Sequence, residues 1–239
     1  MDLHQSVALV TGANRGLGAE LVQELLRAGA GKVYAASRAP GAVAAEVAAD
    51  PRVQTLTLDI TDPASVANAA AAARDVTVLV NNAGVLAFGS ALEGDLDAFE
   101  RDVRTNYLGT LRVTRAFAPA LERNAPAAVV NVLTLIALAP VGPMAGYSAS
   151  KAAAHSITQA LRAELRDRGV SVLGAYPGGI DTDMLAGVDA EKASPALVAE
   201  RIAAALAAGE TVVFPDDASA AAGQVYQQDP LKLEQMLTG

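Results

Sequence analysis

Short apolar runs alternate with longer helix-like segments along the whole chain. The runs are rich in valine, leucine and alanine, which is typical of buried parallel strands. Strands that alternate with helices favour a parallel sheet with helices on both faces. We therefore predict a doubly wound α/β fold of about seven strands. The predicted strands are Val7–Val10, Lys32–Ala36, Val53–Leu58, Thr77–Val80, Ala128–Val132, Ser171–Ala175 and Thr211–Phe214.

The segments between the runs carry helix signals. Thr61-Asp62-Pro63 predicts a helix start with threonine as the cap and proline in the first turn. The alanine-rich stretches Ala42–Ala49 and Ala64–Ala73 predict ordinary helices, because alanine is the best helix former. No linker and no repeat of fixed period interrupts the pattern, so residues 1–239 are expected to form a single domain. Met184–Ser194 is predicted to be a short insertion between the sixth strand and a late helix.

Composition and charge exclude several kinds of partner. The net charge of −8 argues against a nucleic-acid surface. The chain has no cysteine, so disulfides and thiolate chemistry are excluded. No apolar run approaches the length of a membrane span, and Met1–Gln5 lacks the basic and long apolar segments of a signal peptide. We predict a cytoplasmic protein with no nucleic-acid partner, no membrane partner and no metal site.

The first predicted strand runs directly into a glycine-rich turn, Thr11–Gly18. A helical pattern with Leu17, Leu21 and Leu25 on one face follows. Strand, glycine turn and helix form the context that a phosphate-binding turn requires. The glycines let the backbone approach a pyrophosphate, and the helix N-terminus offers free N–H groups. A turn that serves chain geometry alone is the alternative.

Tyr147 and Lys151 lie four residues apart in a segment predicted to be helical, so both side chains point to one face. A phenol ionises near pH ~10, and a nearby cation lowers that pKa. The pair is expected to supply a transferable proton near neutral pH. This spacing occurs by chance on many helices, so its weight depends on the motifs upstream.

The motifs taken together resemble those of the classical short-chain dehydrogenase/reductase family, whose fold is Rossmann-like. The likeness covers nearly the whole chain, and the motifs fall in the family's order. Thr11–Gly18 resembles the family's cofactor turn, and Asn81-Asn82-Ala83-Gly84 matches its turn after the fourth strand. Tyr147 and Lys151 match its catalytic Tyr-x-x-x-Lys, and Asn106 lies where its catalytic asparagine lies.

The resemblance also implies a set of cofactor-binding residues. Asp59 resembles the family's adenine-binding aspartate, and Pro177-Gly178 and Thr182 resemble its Pro-Gly turn and the threonine that binds the nicotinamide amide. The residues implied to bind the cofactor are Gly12, Asn14, Arg15, Gly16, Leu17, Gly18, Ser37, Arg38, Asp59, Ile60, Asn82, Ala83, Gly84, Tyr147, Lys151, Pro177, Gly178, Ile180 and Thr182.

The end of the second strand favours NADP(H) over NAD(H). An acid at this position binds the ribose 2′-hydroxyl, whereas a basic residue accepts the 2′-phosphate. Here the strand ends in Ser37-Arg38, with no acid. Arg38 is predicted to bind the phosphate, with help from Ser37 and from Arg15, because a guanidinium is planar and always charged. Two solvated surface arginines are the alternative.

By the same resemblance, Tyr147 gives a proton to the carbonyl oxygen as hydride reaches the carbon. Lys151 is expected to lower the pKa of the tyrosine and to hold the nicotinamide ribose. Asn106 is expected to hold a water that links Lys151 to solvent; local hydrogen bonding on a helix is its alternative role.

Thr134 is the main departure from the family pattern. The family usually has serine thirteen positions before the catalytic tyrosine, where this chain has Thr134. Threonine keeps the hydroxyl, so it is still expected to bind the substrate oxygen, although its extra methyl and stiffer χ1 tighten the pocket. His155, one turn after Lys151, receives no role.

An apolar pocket predicts a hydrophobic ketone, aldehyde or alcohol as substrate. Two alternatives stay open: a non-catalytic NADP(H) sensor or scaffold, and a reductase of 3-oxoacyl groups on acyl carrier protein. The acidic carrier would need a basic patch, to which Arg123, Arg166 and Arg168 are candidates. Family members are usually oligomers, so a homodimer or homotetramer is expected. The predicted pocket residues are Leu86, Phe88, Leu135, Val141, Met144, Met184 and Leu185.

Overall fold

The computed structural model describes residues 1–238, apart from the side chains of Pro40 and Thr238. Its described residues form one parallel sheet in which all seven predicted strands are recovered to within one residue at each end. The strands are β1 (Val7–Thr11), β2 (Lys32–Ser37), β3 (Val53–Thr57), β4 (Val78–Asn81), β5 (Ala127–Val132), β6 (Val170–Ala175) and β7 (Val212–Val213). Their order across the sheet is β3-β2-β1-β4-β5-β6-β7. The predicted doubly wound α/β fold is confirmed.

Helices connect successive strands and cover both faces of the sheet. A π-helical segment, Val103–Gly109, joins the fourth and fifth helices. The α-helices are α1 (Gly16–Arg27), α2 (Ala45–Ala48), α3 (Pro63–Ala72), α4 (Leu96–Asp102), α5 (Thr110–Arg123), α6 (Ala145–Leu165), α7 (Pro195–Ala208), α8 (Asp217–Gln228) and α9 (Pro230–Thr238).

Alternate residues of each strand face two separate hydrophobic cores, as the period of two in a strand requires. On one face Ala8 and Val10 pack with α1 and α7. On the other face Leu9 packs with α3, α5 and α6, around the fully buried Phe117. These cores fix the helices against the sheet. Because the strands run parallel, their carboxyl ends all lie at one edge of the sheet.

Two local predictions are wrong. Asp62, not Thr61, caps α3: its carboxylate accepts from the N–H groups of Ala64 and Ser65. Pro63 occupies the first helical position, which places the cap one residue later than predicted. The stretch Ala42–Ala49 is not one helix: Ala42 ends a short 3₁₀ turn, and α2 begins only at Ala45 because Ala44 has an extended backbone with ψ 134°.

The strand order reverses between β1 and β4, whose neighbours β2 and β5 lie on opposite sides. In such sheets the crevice at the carboxyl ends of these strands is where ligands bind. Within the described part of the chain, no helix combines the length and the apolar character needed to cross a lipid bilayer.

Candidate active site

The glycine turn after β1 forms an open helix N-terminus. Gly12 and Gly16 have φ values of +67° and +53°, which other residues rarely adopt. A Cβ on Gly18 would lie 2.1 Å from the Gly12 carbonyl oxygen, so the first turn of α1 packs closely on the loop. Among the side chains that the structure describes, none caps α1, and its first N–H groups therefore remain available to an anion.

Thr11 ties this turn to the Asn81–Gly84 turn after β4. Its hydroxyl accepts from the N–H groups of Asn82 and Ala83, both at 3.0 Å. The side-chain amide of Asn82 in turn donates a hydrogen bond to the carbonyl oxygen of Thr11 at 2.9 Å. The sequence analysis gave Thr11 no role of its own, although a polar residue that directly follows an apolar strand was a detectable signal.

Two predicted cofactor residues have side chains in the core. Leu17 packs against the sheet with α1, and Ile60 packs on the opposite face. Any contact of these two residues with a cofactor must therefore use the backbone. Asn14 lies half-buried in the glycine turn, and Ile180 pairs with Ala193 in a short bridge.

Asp59 lies just beyond β3 as a partly buried carboxylate. One of its oxygens accepts from the N–H and the hydroxyl of Thr61, at 2.8 and 2.7 Å. These bonds, mainly that from the hydroxyl, lower the pKa of Asp59, and the positive charges of Arg38 and Arg104 lower it further. Arg38 is therefore within electrostatic range of the predicted adenine-binding carboxylate.

The other two predicted phosphate-binding side chains already have partners. Ser37 donates its hydroxyl hydrogen to the Ala39 carbonyl oxygen at 2.8 Å. Arg15 forms an ion pair with Asp183 at 2.7 Å, and both side chains are more than two-thirds exposed. An exposed pair of this kind is worth only about 0–1 kcal/mol, so it does not prevent Arg15 from reaching a phosphate.

The segment from Pro177 to Thr182 links two parts of the site. The Pro177 carbonyl oxygen accepts from the Leu135 N–H at 2.8 Å, next to Thr134. At the other end, a Cβ on Gly16 would lie 3.1 Å from the Thr182 methyl. The segment therefore reaches from Thr134, whose hydroxyl is predicted to bind the substrate, to the glycine turn.

Tyr147 and Lys151 occupy one face of α6, and both are at least nine-tenths buried. The Lys151 ammonium lies 5.9 Å from the centre of the Tyr147 ring and donates to the Val132 carbonyl oxygen at 2.9 Å. The Tyr147 hydroxyl has no hydrogen-bond partner among the described residues, so it is free to meet a substrate.

The structure does not show the expected lowering of the tyrosine pKa. Burial raises the pKa of Tyr147, and the negative charge of Asp102 raises it further. Burial also lowers the pKa of Lys151 to about 8, although Asp102 opposes this. At neutral pH the tyrosine is a protonated phenol, which is the form that a proton donor needs.

Asn106 lies in the π-helical segment, a feature that often marks functional sites. Its side chain exchanges two hydrogen bonds of 2.9 Å with the backbone of Val85. Its amide also donates to the Ser150 hydroxyl at 2.9 Å, and that hydroxyl donates to the Tyr147 carbonyl oxygen at 2.7 Å. The Asn106 side chain is thus fixed by protein groups and joins the Val85 segment to α6.

Thr134 follows β5 and precedes a 3₁₀ turn, Leu135–Ala137, that packs against α6. The residue is 7% exposed, and its hydroxyl has no hydrogen-bond partner within residues 1–238. The hydroxyl oxygen itself keeps some exposure to solvent, unlike the buried and unpartnered Oγ of Ser148. It is therefore available to a ligand, as the prediction for Thr134 requires.

Two buried acids near these residues were missed by sequence reasoning. Asp102, fully buried one turn before Asn106, accepts from the Ala87 N–H at 3.1 Å, and burial raises its pKa. Asp216, 3% exposed, accepts from the Gly178 N–H at 2.8 Å. The spacing from Asp102 to Asn106 was a detectable signal, whereas only the folded chain brings Asp216 to Gly178.

The predicted pocket residues come from three segments of the chain: residues 86–88 after β4, residues 135–144 between β5 and α6, and residues 184–185 after β6. Gly89 bridges to Met144, which brings the segment of Leu86 and Phe88 beside the start of α6. Phe88 and Met184 are about half exposed. Leu135, however, packs with Leu233 in a core formed with the C-terminal helices, so it is a core residue rather than a pocket surface.

The proposed basic patch does not lie at the site. Arg123 ends α5, and Arg166 and Arg168 follow the end of α6. Tyr147 is at the start of α6, so about 30 Å of helix separates the two ends. Arg168 is in addition paired with Glu122 at 2.9 Å.

Comparison with known proteins identifies the family. The sequence model described as "short chain dehydrogenase" matches residues 6–193. The chain is 38% identical over 202 residues to "1-deoxy-11-beta-hydroxypentalenate dehydrogenase" of Streptomyces exfoliatus, covering 80% of this chain and 74% of that protein.

Solved structures agree with this assignment. A short chain dehydrogenase from Burkholderia cenocepacia J2315, in complex with NADP, superposes with a TM-score of 0.94 and 39% identity over 100% of both chains. A 3-ketoacyl-(acyl-carrier-protein) reductase from Brucella melitensis, complexed with NADH, superposes with a TM-score of 0.80 and 28% identity, covering 89% of this chain and 96% of that one. The glycine turn, the Tyr147–Lys151 pair and these likenesses lead to one conclusion: the chain belongs to the short-chain dehydrogenase/reductase family of oxidoreductases.

Proposed function

We propose that the protein is an NADP(H)-dependent carbonyl reductase that interconverts a hydrophobic ketone or aldehyde and its alcohol. The observation that carries this proposal is the buried Tyr147–Lys151 pair. The phenol has no hydrogen-bond partner among the described residues, and the ammonium donates to Val132 at the carboxyl end of β5 and lies near Gly84. The protein acts as a single domain in which residues 184–194 form the substrate loop.

The residues present fit a dinucleotide phosphate. The uncapped N-terminus of α1 offers N–H groups to a pyrophosphate, and Asp59 offers a carboxylate to an adenosine. The end of β2 carries the exposed Arg38 and no acid, which suits a 2′-phosphate. The relative from Burkholderia cenocepacia was solved with NADP, and the one from Brucella melitensis with NADH, so the choice of cofactor needs its own test.

In this proposal bound NADPH supplies the hydride. Tyr147 holds a proton on its hydroxyl and gives it to the substrate oxygen. Thr134 donates a hydrogen bond to the same oxygen, which stabilises the charge that develops there. Lys151 keeps a positive charge beside the phenol and holds the ribose. Asn106 fixes α6 against the Val85 segment, so that these groups keep their relative positions.

Arg38→Asp is expected to reverse the cofactor preference. The wild type should prefer NADPH to NADH, and the variant should lose roughly 10–150-fold in kcat/KM for NADPH, because a charge-assisted hydrogen bond is worth about 1.5–3 kcal/mol. Steady-state constants with both cofactors measure this.

Arg74→Asp is the matched control for that experiment. It makes the same charge change at an exposed arginine before β4, at the opposite edge of the sheet. It should leave the cofactor preference unchanged. A wild type that prefers NADH would contradict the assignment of NADP(H).

The rate of ketone reduction is expected to fall above about pH 8. Lys151 is cationic below its pKa of about 8 and loses its charge as the pH rises through that value. Tyr147 stays protonated over the same range because its pKa is raised. We expect kcat/KM to decline by up to about tenfold per pH unit on this limb. Initial rates at saturating NADPH from about pH 6 to 10 measure it; a flat profile would mean that the charge is not needed.

The proposed basic patch gives no support to the acyl-carrier reductase alternative, because Arg166 and Arg168 follow the end of α6. The relative from Brucella melitensis is a reductase of that type, so this alternative stays open. The sensor alternative predicts NADPH binding without turnover of any ketone. A screen of ketones and alcohols with NADPH and NADH separates this alternative from the proposed reductase. A cytoplasmic location and a homodimer or homotetramer remain predictions.

A further inference from the structure

The Asp216 carboxylate lies against the Pro177-Gly178 turn. One oxygen, Oδ2, accepts from the Gly178 N–H at 2.8 Å and from the Ser219 hydroxyl at 2.7 Å. The other, Oδ1, accepts from the Ser219 N–H at 2.8 Å. A Cβ on Gly178 would lie 3.1 Å from Oδ1, so the carboxylate packs directly on the turn.

Helix capping alone does not explain this arrangement. Asp216 is the N-cap of α8 in a capping box with Ser219. Asp62 caps α3 just as directly, with an exposed side chain whose hydrogen bonds within the described residues all go to its own helix. Burying a carboxylate costs free energy unless its oxygens are satisfied. The buried position of Asp216 gains a bond that a surface cap lacks, the one to Gly178.

The turn that Asp216 holds occupies a central place in the site. The Pro177 carbonyl oxygen accepts a hydrogen bond from the N–H of Leu135, next to Thr134, whose hydroxyl is proposed to bind the substrate. Thr182 lies against Gly16. A shift of the Gly178 backbone would therefore move the wall between the substrate and the glycine turn. The adenosine end, at Asp59 and Arg38, is on other elements.

We propose that Asp216 is a positioning residue for the nicotinamide half of the cofactor. By accepting from the Gly178 N–H, its carboxylate fixes the Pro177-Gly178 turn and ties it to the C-terminal helices α8 and α9. Asp216 lies outside residues 6–193, which the family's sequence model matches. The proposal rests on NADP(H) being the cofactor.

Asp216→Ser tests this role. Serine is a good N-cap, so α8 keeps its cap, but the shorter side chain lacks the second oxygen that reaches Gly178. We expect the dissociation constant of NADPH to rise about tenfold or more, as for the loss of a hydrogen bond to a charged group. The dissociation constant of 2′-phospho-ADP-ribose, which lacks the nicotinamide, should stay within about twofold. Titration calorimetry measures both.

Asp229→Ser is the matched control. The Asp229 carboxylate accepts from the N–H groups of Leu231 and Lys232 at the start of α9 and is exposed. The same substitution there should change neither dissociation constant. Asp216→Asn is the second variant: it keeps the volume, but its amide places a donor against either the Gly178 N–H or the Ser219 N–H. It should also weaken NADPH selectively.

Each outcome decides the question. Selective loss of NADPH affinity in either Asp216 variant supports the positioning role. Unchanged affinities, or equal losses for both ligands, would show that Asp216 serves only the stability of α8. A wild type that binds neither ligand would overturn the proposed NADP(H) function itself, and a wild type that binds both keeps that function whatever the variants show.

Discussion

Tyr147→Phe is expected to lower the rate of ketone reduction by at least roughly 10²–10⁴-fold, the range typical of a positioned acid–base group. Phenylalanine keeps the buried ring and removes only the hydroxyl, which has no partner among the described residues. Packing and NADPH affinity should therefore survive. Single-turnover rates and a binding titration on the same preparation measure the two quantities separately.

Tyr226→Phe is the control for this result. It removes the hydroxyl of a half-buried tyrosine on a different helix, α8, and should keep most of the activity. Lys151→Ala should differ from Tyr147→Phe by damaging both turnover and NADPH binding, because the lysine has two proposed roles. If Tyr147→Phe reduces an accepted ketone at nearly the wild-type rate, the tyrosine is not the proton donor.

Thr134→Ala is expected to lower turnover by about 10²–10³-fold, as the loss of one hydrogen-bond donor to a developing oxyanion does elsewhere. The structure supports this expectation, because Thr134 directly follows β5 and its hydroxyl is not engaged by another described residue. The measurement is kcat on one ketone for the wild type and the variant at saturating NADPH.

Thr134→Ser keeps the donor and is the matched variant. It should stay active and should accept bulkier ketones, since a methyl group too many in a tight site costs roughly 1–3 kcal/mol. Equal rates for the wild type and Thr134→Ala would mean that this hydroxyl is a bystander. A wild type without turnover on any carbonyl compound would instead favour the sensor alternative.

Much of the fold was predictable because its signals are local. An apolar run such as Val7–Val10, a glycine turn and an amphipathic helix are each written in contiguous residues, and their alternation restricts the topology to few choices. Boundaries were less predictable. Asp62 rather than Thr61 caps α3, because Pro63 takes the first helical position. The helix α2 starts late because the backbone of Ala44 is extended.

The site was predictable in part for the same reason. Tyr147 and Lys151 share a face because they are four residues apart on one helix, which needs no tertiary information. Their pKa values were not predictable. The sequence predicted that Lys151 lowers the pKa of Tyr147, but burial raises the tyrosine pKa and lowers that of the lysine, and burial is a property of the whole fold.

The sequence by itself determined the alternation of strands and helices, the glycine turn and the shared helix face of Tyr147 and Lys151, because these depend on spacings of a few residues. Only the tertiary structure decided which backbone groups these residues meet. It brought Thr11 into hydrogen-bond contact with Asn82, and Asp216 with Gly178. It also paired Asp183 with Arg15. These partners are separated by many residues of chain and by different elements of the fold. Their meeting follows from how seven strands order themselves in one sheet and from how the C-terminal helices pack against the segment that follows β5.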